Sequence, residues 1–186
     1  MFILGVTGSI SSGKTTVAKM IARKKYPMFS ADKIVLQIYR DKKFLYKVLK
    51  LFKLKSTKKI KHQIKQVIKE DKEKFKKLEK LIHPEVRKKM KVFLRKKNKI
   101  LILEIPLLIE NKLSKYFDKI IFVGAKKKLR MKRYLKRGND KEMFNLLDKR
   151  QVSPSKKIVV CDHILNNNSN LSKLKKNVKK IVNLYE

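Results

Sequence analysis

Gly8, Gly13, Lys14 and Thr15 stand at the spacing G-x-x-x-x-G-K-[ST], a pattern suited to holding the phosphates of a nucleotide. The chemistry follows from the residue types. Glycine lets the backbone approach phosphate where a side chain would block it. Successive N–H groups then point into one concavity at a helix N-terminus, whose partial positive charge favours an anion. Lys14 is placed to reach the β- and γ-phosphates, and the Thr15 hydroxyl to ligate Mg²⁺. Ser9 and Ser11 occupy positions where many loops of this kind carry more glycine.

Three further groups could act beside such a loop. Asp32 follows the short apolar run Met28-Phe29-Ser30, and reads either as a base for a hydroxyl, an indirect Mg²⁺ ligand, or the N-cap of a helix beginning near Lys33. Glu104 closes the apolar run Ile100–Leu103 and is the type of residue found near Mg²⁺ at a strand end. Arg130, Arg133 and Arg137 lie three and four apart on a basic helix, and guanidinium groups suit phosphate oxygens. Glu110 reads equally as a functional contact or a surface acid, and His83 alone as a cap or packing residue.

These groups need elements to place them. Phe2–Thr7 reads as a strand leading into the loop, and Val17–Ala22 as the helix after it. Ile100–Ile105 reads as a buried parallel strand, Lys119–Val123 as a fourth strand, and the apolar end of Val159–Leu165 as the last. In an open α/β sheet, ligands bind at the carboxyl ends of the strands, where Asp32 and Glu104 would stand. From Lys33 to about Lys80 the chain reads as helical throughout, with apolar stripes at Phe44, Leu45, Val48, Leu49 and Phe52 and at Ile60, Ile64, Val67 and Ile68. Pro84 is expected in the first turn of a new helix running to about Lys97. Gly138-Asn139-Asp140 separates two helices, and the polar turn Asn166–Ser169 follows the last strand, suited to contacting an adenine ring.

Composition narrows the class. The chain has 186 residues and a formal charge of +37, with 52 basic side chains against 15 acidic ones. The lysines are spread along the chain, with no zinc-finger spacing, RNP-type signature or tryptophan, so no specific nucleic-acid partner is expected. Lys42-Lys43 and Lys58-Lys59-Lys61-His62 are candidate anion contacts. No run approaches the roughly 18 apolar residues of a membrane span. Met1 opens directly on the first strand without a basic leader, and Cys161 is the single cysteine; both point to the cytoplasm.

Separated stretches agree on a family. Thr7-Gly8 with Gly13–Thr16, Ala31-Asp32, Leu81-Ile82-His83-Pro84, Glu104–Glu110, Arg133 and Arg137, and Gln151–Asn167 together resemble the dephospho-coenzyme A kinases. The likeness covers nearly the whole chain and is weakest over residues 33–77. It implies a single α/β domain over 1–186: a P-loop nucleoside-triphosphate hydrolase-like three-layer fold with a five-stranded parallel sheet. A helical acceptor (CoA) subdomain over 33–97 and a lid over 126–150 are implied with it. The implied reaction moves the ATP γ-phosphate to the ribose 3′-hydroxyl of dephospho-CoA, the last step of coenzyme A biosynthesis.

The same resemblance implies site roles. Ser11, Ser12, Gly13, Lys14, Thr15 and Thr16 would hold ATP phosphates, with Asn167 near adenine. Thr7, Asp32, His83, Leu107 and Glu110 would meet the acceptor. Lys14, Asp32 and Arg137 would be catalytic, and Thr15 and Glu104 would serve Mg²⁺. Ser30 stands where the family often has aspartate, Glu104 where it usually has aspartate, and a lysine near Lys61 where it has arginine. The alternatives are another small-molecule or nucleoside kinase of the P-loop class, or a basic nucleic-acid-binding NTPase.

Overall fold

Continuous apolar runs build the centre of the molecule. In the computed structural model, which describes residues 1–54, 57 and 60–185 apart from the side chains of Lys61 and Lys72, five strands pair in the order β2-β3-β1-β4-β5. They are β1 (Phe2–Gly8), β2 (Met28–Ser30), β3 (Ile100–Glu104), β4 (Lys119–Gly124) and β5 (His163–Asn166). Every pairing is parallel. Such a sheet is covered on both faces, which is why β3 reads as an unbroken apolar run and is buried at every position.

Alternation along the strands divides the core. Leu4, Val6, Ile100, Ile102, Ile121 and Val123 point to one face, where Val17, Ala18 and Ile21 of α1 (Lys14–Ala22) and Leu174, Val178 and Val182 of α9 (Leu171–Val182) cover them. Leu101, Leu103, Ile120 and Phe122 point the other way and are buried too. The sheet with its flanking helices is the three-layer α/β architecture expected. The chain leaves β1 for the edge at β2, returns through β3, and crosses to β4 and β5. The loop after β1 therefore opens at the point where the strand order reverses, the place where such sheets bind ligands.

Register fixes which residues meet at that edge. Glu104 lies opposite both Val6 and Ser30, and Gly124 lies opposite Asn166. After β4, α6 (Lys127–Leu135) and α7 (Lys141–Arg150) form a helix pair joined through Gly138 at φ 75°, with the Tyr134 and Phe144 rings 5.7 Å apart. A short α8 (Pro154–Ile158) then starts on a Ser153 cap and packs against β4. The expected last strand is correspondingly shorter: Val159–Asp162 is a turn after α8, and only His163–Asn166 pairs.

Residues 31–96 form a second compact unit, made of helices. These are α2 (Ala31–Ile38), α3 (Lys42–Phe52), α4 (Ile60–Glu70) and α5 (Lys72–Leu94). The longest, α5, packs against each of the other three. Phe44, Val48 and Phe52, and Ile64 and Ile68, are buried as their stripes predict. The continuous helix expected over 33–80 is instead broken, because Asp41 and Asp71 each turn their carboxylate onto the N–H three residues ahead and cap a new helix. The break expected at Pro84 does not occur. Pro84 lies inside α5, which ends at Leu94 and not near Lys97. A proline there removes one backbone hydrogen bond and costs about 3 kcal/mol. Buried Leu78 and Met90 on either side of it keep the helix packed through that point.

Candidate active site

The loop between β1 and α1 is a tight backbone bowl. Gly8 has φ 147°, and a Cβ there would lie 2.2 Å from the Val123 carbonyl oxygen. Gly13 has φ 101°, and a Cβ there would strike the Asn167 amide nitrogen at 2.2 Å. Neither position accepts a side chain. Ser11 adopts φ 54°, a left-handed conformation usually left to glycine. The Ser12 N–H closes the turn onto the Ser9 carbonyl at 3.2 Å. Lys14, buried, spans the loop and donates to that same carbonyl at 2.8 Å. The N-terminus of α1 carries no side-chain cap, so its first N–H groups keep their capacity for an anion. The Ser12 hydroxyl is buried without a hydrogen-bond partner, a polar atom that a phosphate oxygen would satisfy.

Four side chains from the second half of the chain brace the bowl from outside. Gln151 accepts the Ile10 N–H at 2.8 Å. Arg130 reaches the Ile10 carbonyl at 3.4 Å. Asn167 donates to the Ser12 carbonyl at 2.8 Å, and Arg133 to the same oxygen at 3.4 Å. Arg133 also holds the Asn167 carbonyl at 2.9 Å. Arg130 is buried, bonds the Ala125 carbonyl and pairs with Asp148 at 2.6 Å. It is a strut between the loop and the α6–α7 pair. Arg137 is exposed in the turn after α6.

Glu104 is the buried acid of the site, 1% exposed. Its Oε1 accepts the Thr15 hydroxyl at 2.5 Å and its Oε2 the Ser30 hydroxyl at 2.8 Å. A hydroxyl and a carboxylate beside a phosphate bowl are hard oxygen donors of the kind Mg²⁺ takes, one or two from protein and the rest from phosphate and water. Among the described residues no group of three or more His, Cys, Asp or Glu side chains forms a metal cage. The donors present fit a metal shared with phosphate.

The segment after β3 is tied down on the same edge. Thr7, buried, donates to the Pro106 carbonyl at 3.2 Å. Lys157 of α8, fully buried, donates to that carbonyl at 3.2 Å and pairs with Glu110 at 2.7 Å. Glu110 also accepts the Val152 N–H at 3.0 Å, so its charge is engaged within the protein. Leu107 between them is half-buried and Thr16 exposed. In the helical unit, Asp32 is the second residue of α2, in its first turn and exposed, and does not stand ahead of the helix as a cap. His83 is half-buried near the middle of α5. Burial holds its imidazole below the usual value; Glu79 opposes this and Arg87 adds to it. Lys58, Lys59 and the Lys61 side chain lie outside the described residues.

The comparisons with known proteins agree with this geometry. The dephospho-CoA kinase family model matches residues 2–173. A dephospho-CoA kinase from Fusobacterium nucleatum is 34% identical over 186 residues, spanning 97% of this chain and 96% of its own.

The chain belongs to the dephospho-CoA kinase family.

Solved structures carry the likeness into three dimensions. The dephospho-CoA kinase from Campylobacter jejuni matches with a TM-score of 0.66 at 26% identity, over 99% of this chain and 97% of its own. A Thermus thermophilus protein matches with a TM-score of 0.79 at 26% identity, over all of this chain and 98% of its own. For a dephospho-CoA kinase, the residues missed by sequence reasoning are supports. They are Gln151 as a loop brace, Ser30 on Glu104, and Lys157 beneath Glu110, while Asn167, expected near adenine, also braces the loop. The Gln151–Asn167 stretch was visible as a motif, but its role was not. Lys157 is one of 52 basic residues and carried no signal of its own.

Proposed function

We infer that the protein transfers the γ-phosphoryl group of ATP to the ribose 3′-hydroxyl of dephospho-CoA, releasing ADP and coenzyme A in the last step of coenzyme A biosynthesis. The observation that carries the reading is the phosphate bowl with Lys14 across it and Thr15 joined to Glu104, in a chain that matches this family over residues 2–173.

The roles follow from phosphoryl-transfer chemistry, which needs positioning and charge neutralisation more than covalent help. The N–H groups from Ser11 to Thr16 bind the ATP phosphates, and Lys14 turns from the Ser9 carbonyl to the β- and γ-oxygens. Thr15 and Glu104 would hold Mg²⁺, which would supply positive charge against the ATP phosphates. Asp32, two residues beyond the Ser30 that touches Glu104, accepts the 3′-hydroxyl proton. The freed oxygen forms the new bond to phosphorus as the β–γ bridging bond breaks and ADP leaves. Arg137, exposed after α6, stabilises the transferring group from a lid made of residues 126–150. The family resemblance assigns acceptor contacts to residues 33–97, His83 among them, and to Thr7, Leu107 and Glu110 of the sheet unit. Asn167 lies beside adenine while its amide supports Ser12. A cytoplasmic location belongs to this reading, and no described helix is long and apolar enough to cross a membrane.

Two variants test the roles. Lys14→Ala and Asp32→Asn are each expected to lower kcat at least about 100-fold while leaving the protein folded. Near-normal turnover by Asp32→Asn removes that residue from the base role. Near-normal turnover by Lys14→Ala overturns the nucleotide reading of the bowl.

A further inference from the structure

Glu104 is a carboxylate almost without solvent contact, and a polar group buried this far is costly unless its oxygens are hydrogen-bonded. The two oxygens are held by different hydroxyls from different elements. Thr15, on the first turn of α1, takes Oε1, and Ser30, the last residue of β2, takes Oε2. The strand register makes this possible, because Ser30 and Glu104 stand directly opposite each other in the parallel pair. Ser30 is itself buried, so its hydroxyl competes with little water.

We propose that Ser30 is a positioning residue for the Mg²⁺–ATP site: its hydroxyl anchors one oxygen of Glu104 and thereby keeps the other aimed at Thr15 and the metal. A glutamate has one more rotatable bond than an aspartate, so holding its carboxylate against Thr15 costs more side-chain entropy, a cost that an anchor on its far side lowers. Ser30 supplies that anchor without placing a second negative charge beside the first. Serine at 30 and glutamate at 104 are thus one device. The short neutral residue leaves room for the long acid and orients it.

The proposal rests on the reading of Thr15 and Glu104 as the metal-binding pair, and the test separates the two. The measurements are the Mg²⁺ midpoint for binding of a fluorescent ADP analogue, the affinity for that analogue in EDTA, and the melting temperature without nucleotide. The informative pair is Ser30→Thr and Ser30→Val, which have nearly the same shape and differ in the hydroxyl. Ser30→Thr is expected to keep the Mg²⁺ midpoint near that of the unaltered protein. Ser30→Val is expected to raise it about tenfold, with affinity in EDTA unchanged. Equal midpoints for the two variants overturn the proposal, as does a loss in Ser30→Val that is equally large in EDTA. Glu104→Gln tests the underlying reading. If its midpoint stays at the unaltered value, the metal-binding pair itself is wrong. If Glu104→Gln raises it while the Thr and Val variants agree, only the role of Ser30 falls.

Discussion

Ser11 takes φ 54° in the middle of the phosphate bowl, so the loop closes with a serine where glycine would be at ease. The left-handed conformation costs a non-glycine residue about 1–2 kcal/mol, while glycine would lose about 0.4–1 kcal/mol through a freer unfolded chain. Ser11→Gly is therefore expected to leave stability within about 1 kcal/mol of the unaltered protein, or raise it, in urea unfolding. A loss well beyond that would show that the Ser11 side chain itself holds the loop. Single residues were legible in the sequence where a motif isolates them. Gly8, Gly13, Lys14 and Thr15 are spaced by their chemistry, and Glu104 ends an apolar run. Ser30 was legible only as a missing carboxylate, because its partner sits 74 positions away and is brought to it by strand register. Lys157 was hidden for another reason: a buried lysine looks like any other lysine until its partners, Glu110 and the Pro106 carbonyl, are in place.

At the scale of elements, the bowl is shaped from two sides. β1 and α1 supply its backbone, and the segments after β4 and β5 hold its carbonyl and amide groups through Arg130, Arg133, Gln151 and Asn167. Two of the three arginines expected in a phosphate-facing lid thus hold the loop from behind. Gln151→Ala removes the acceptor of the Ile10 N–H, a contact worth about 0.5–1.5 kcal/mol. Nucleotide affinity is expected to fall about three- to tenfold in a fluorescence titration, with the fold retained. Unchanged affinity would mean that the loop keeps its shape without the brace. The strands were readable from apolar runs and most helices from their stripes. The breaks at Asp41 and Asp71 were missed because attention to stripes alone passes over a capping acid. Pro84 misled in the opposite direction: its local preference for a first turn gave way to the packing of a 23-residue helix.

For the whole molecule, the formal charge of +37 dominates the composition but does not set the fold. The sheet order places the phosphate bowl, Glu104 and Ser30 at one switch point, whatever the charge on the helix faces. Phosphoryl transfer to dephospho-CoA is the reaction this edge serves. It is tested most directly by the initial rate of ADP release from Mg²⁺–ATP with and without dephospho-CoA, the product being identified by its phosphorus NMR signal. Release is expected to be slow alone and at least about 100-fold faster with dephospho-CoA, with one new 3′-phosphomonoester per ADP. ADP release unaffected by dephospho-CoA but stimulated by a nucleic acid or a nucleoside monophosphate would contradict it.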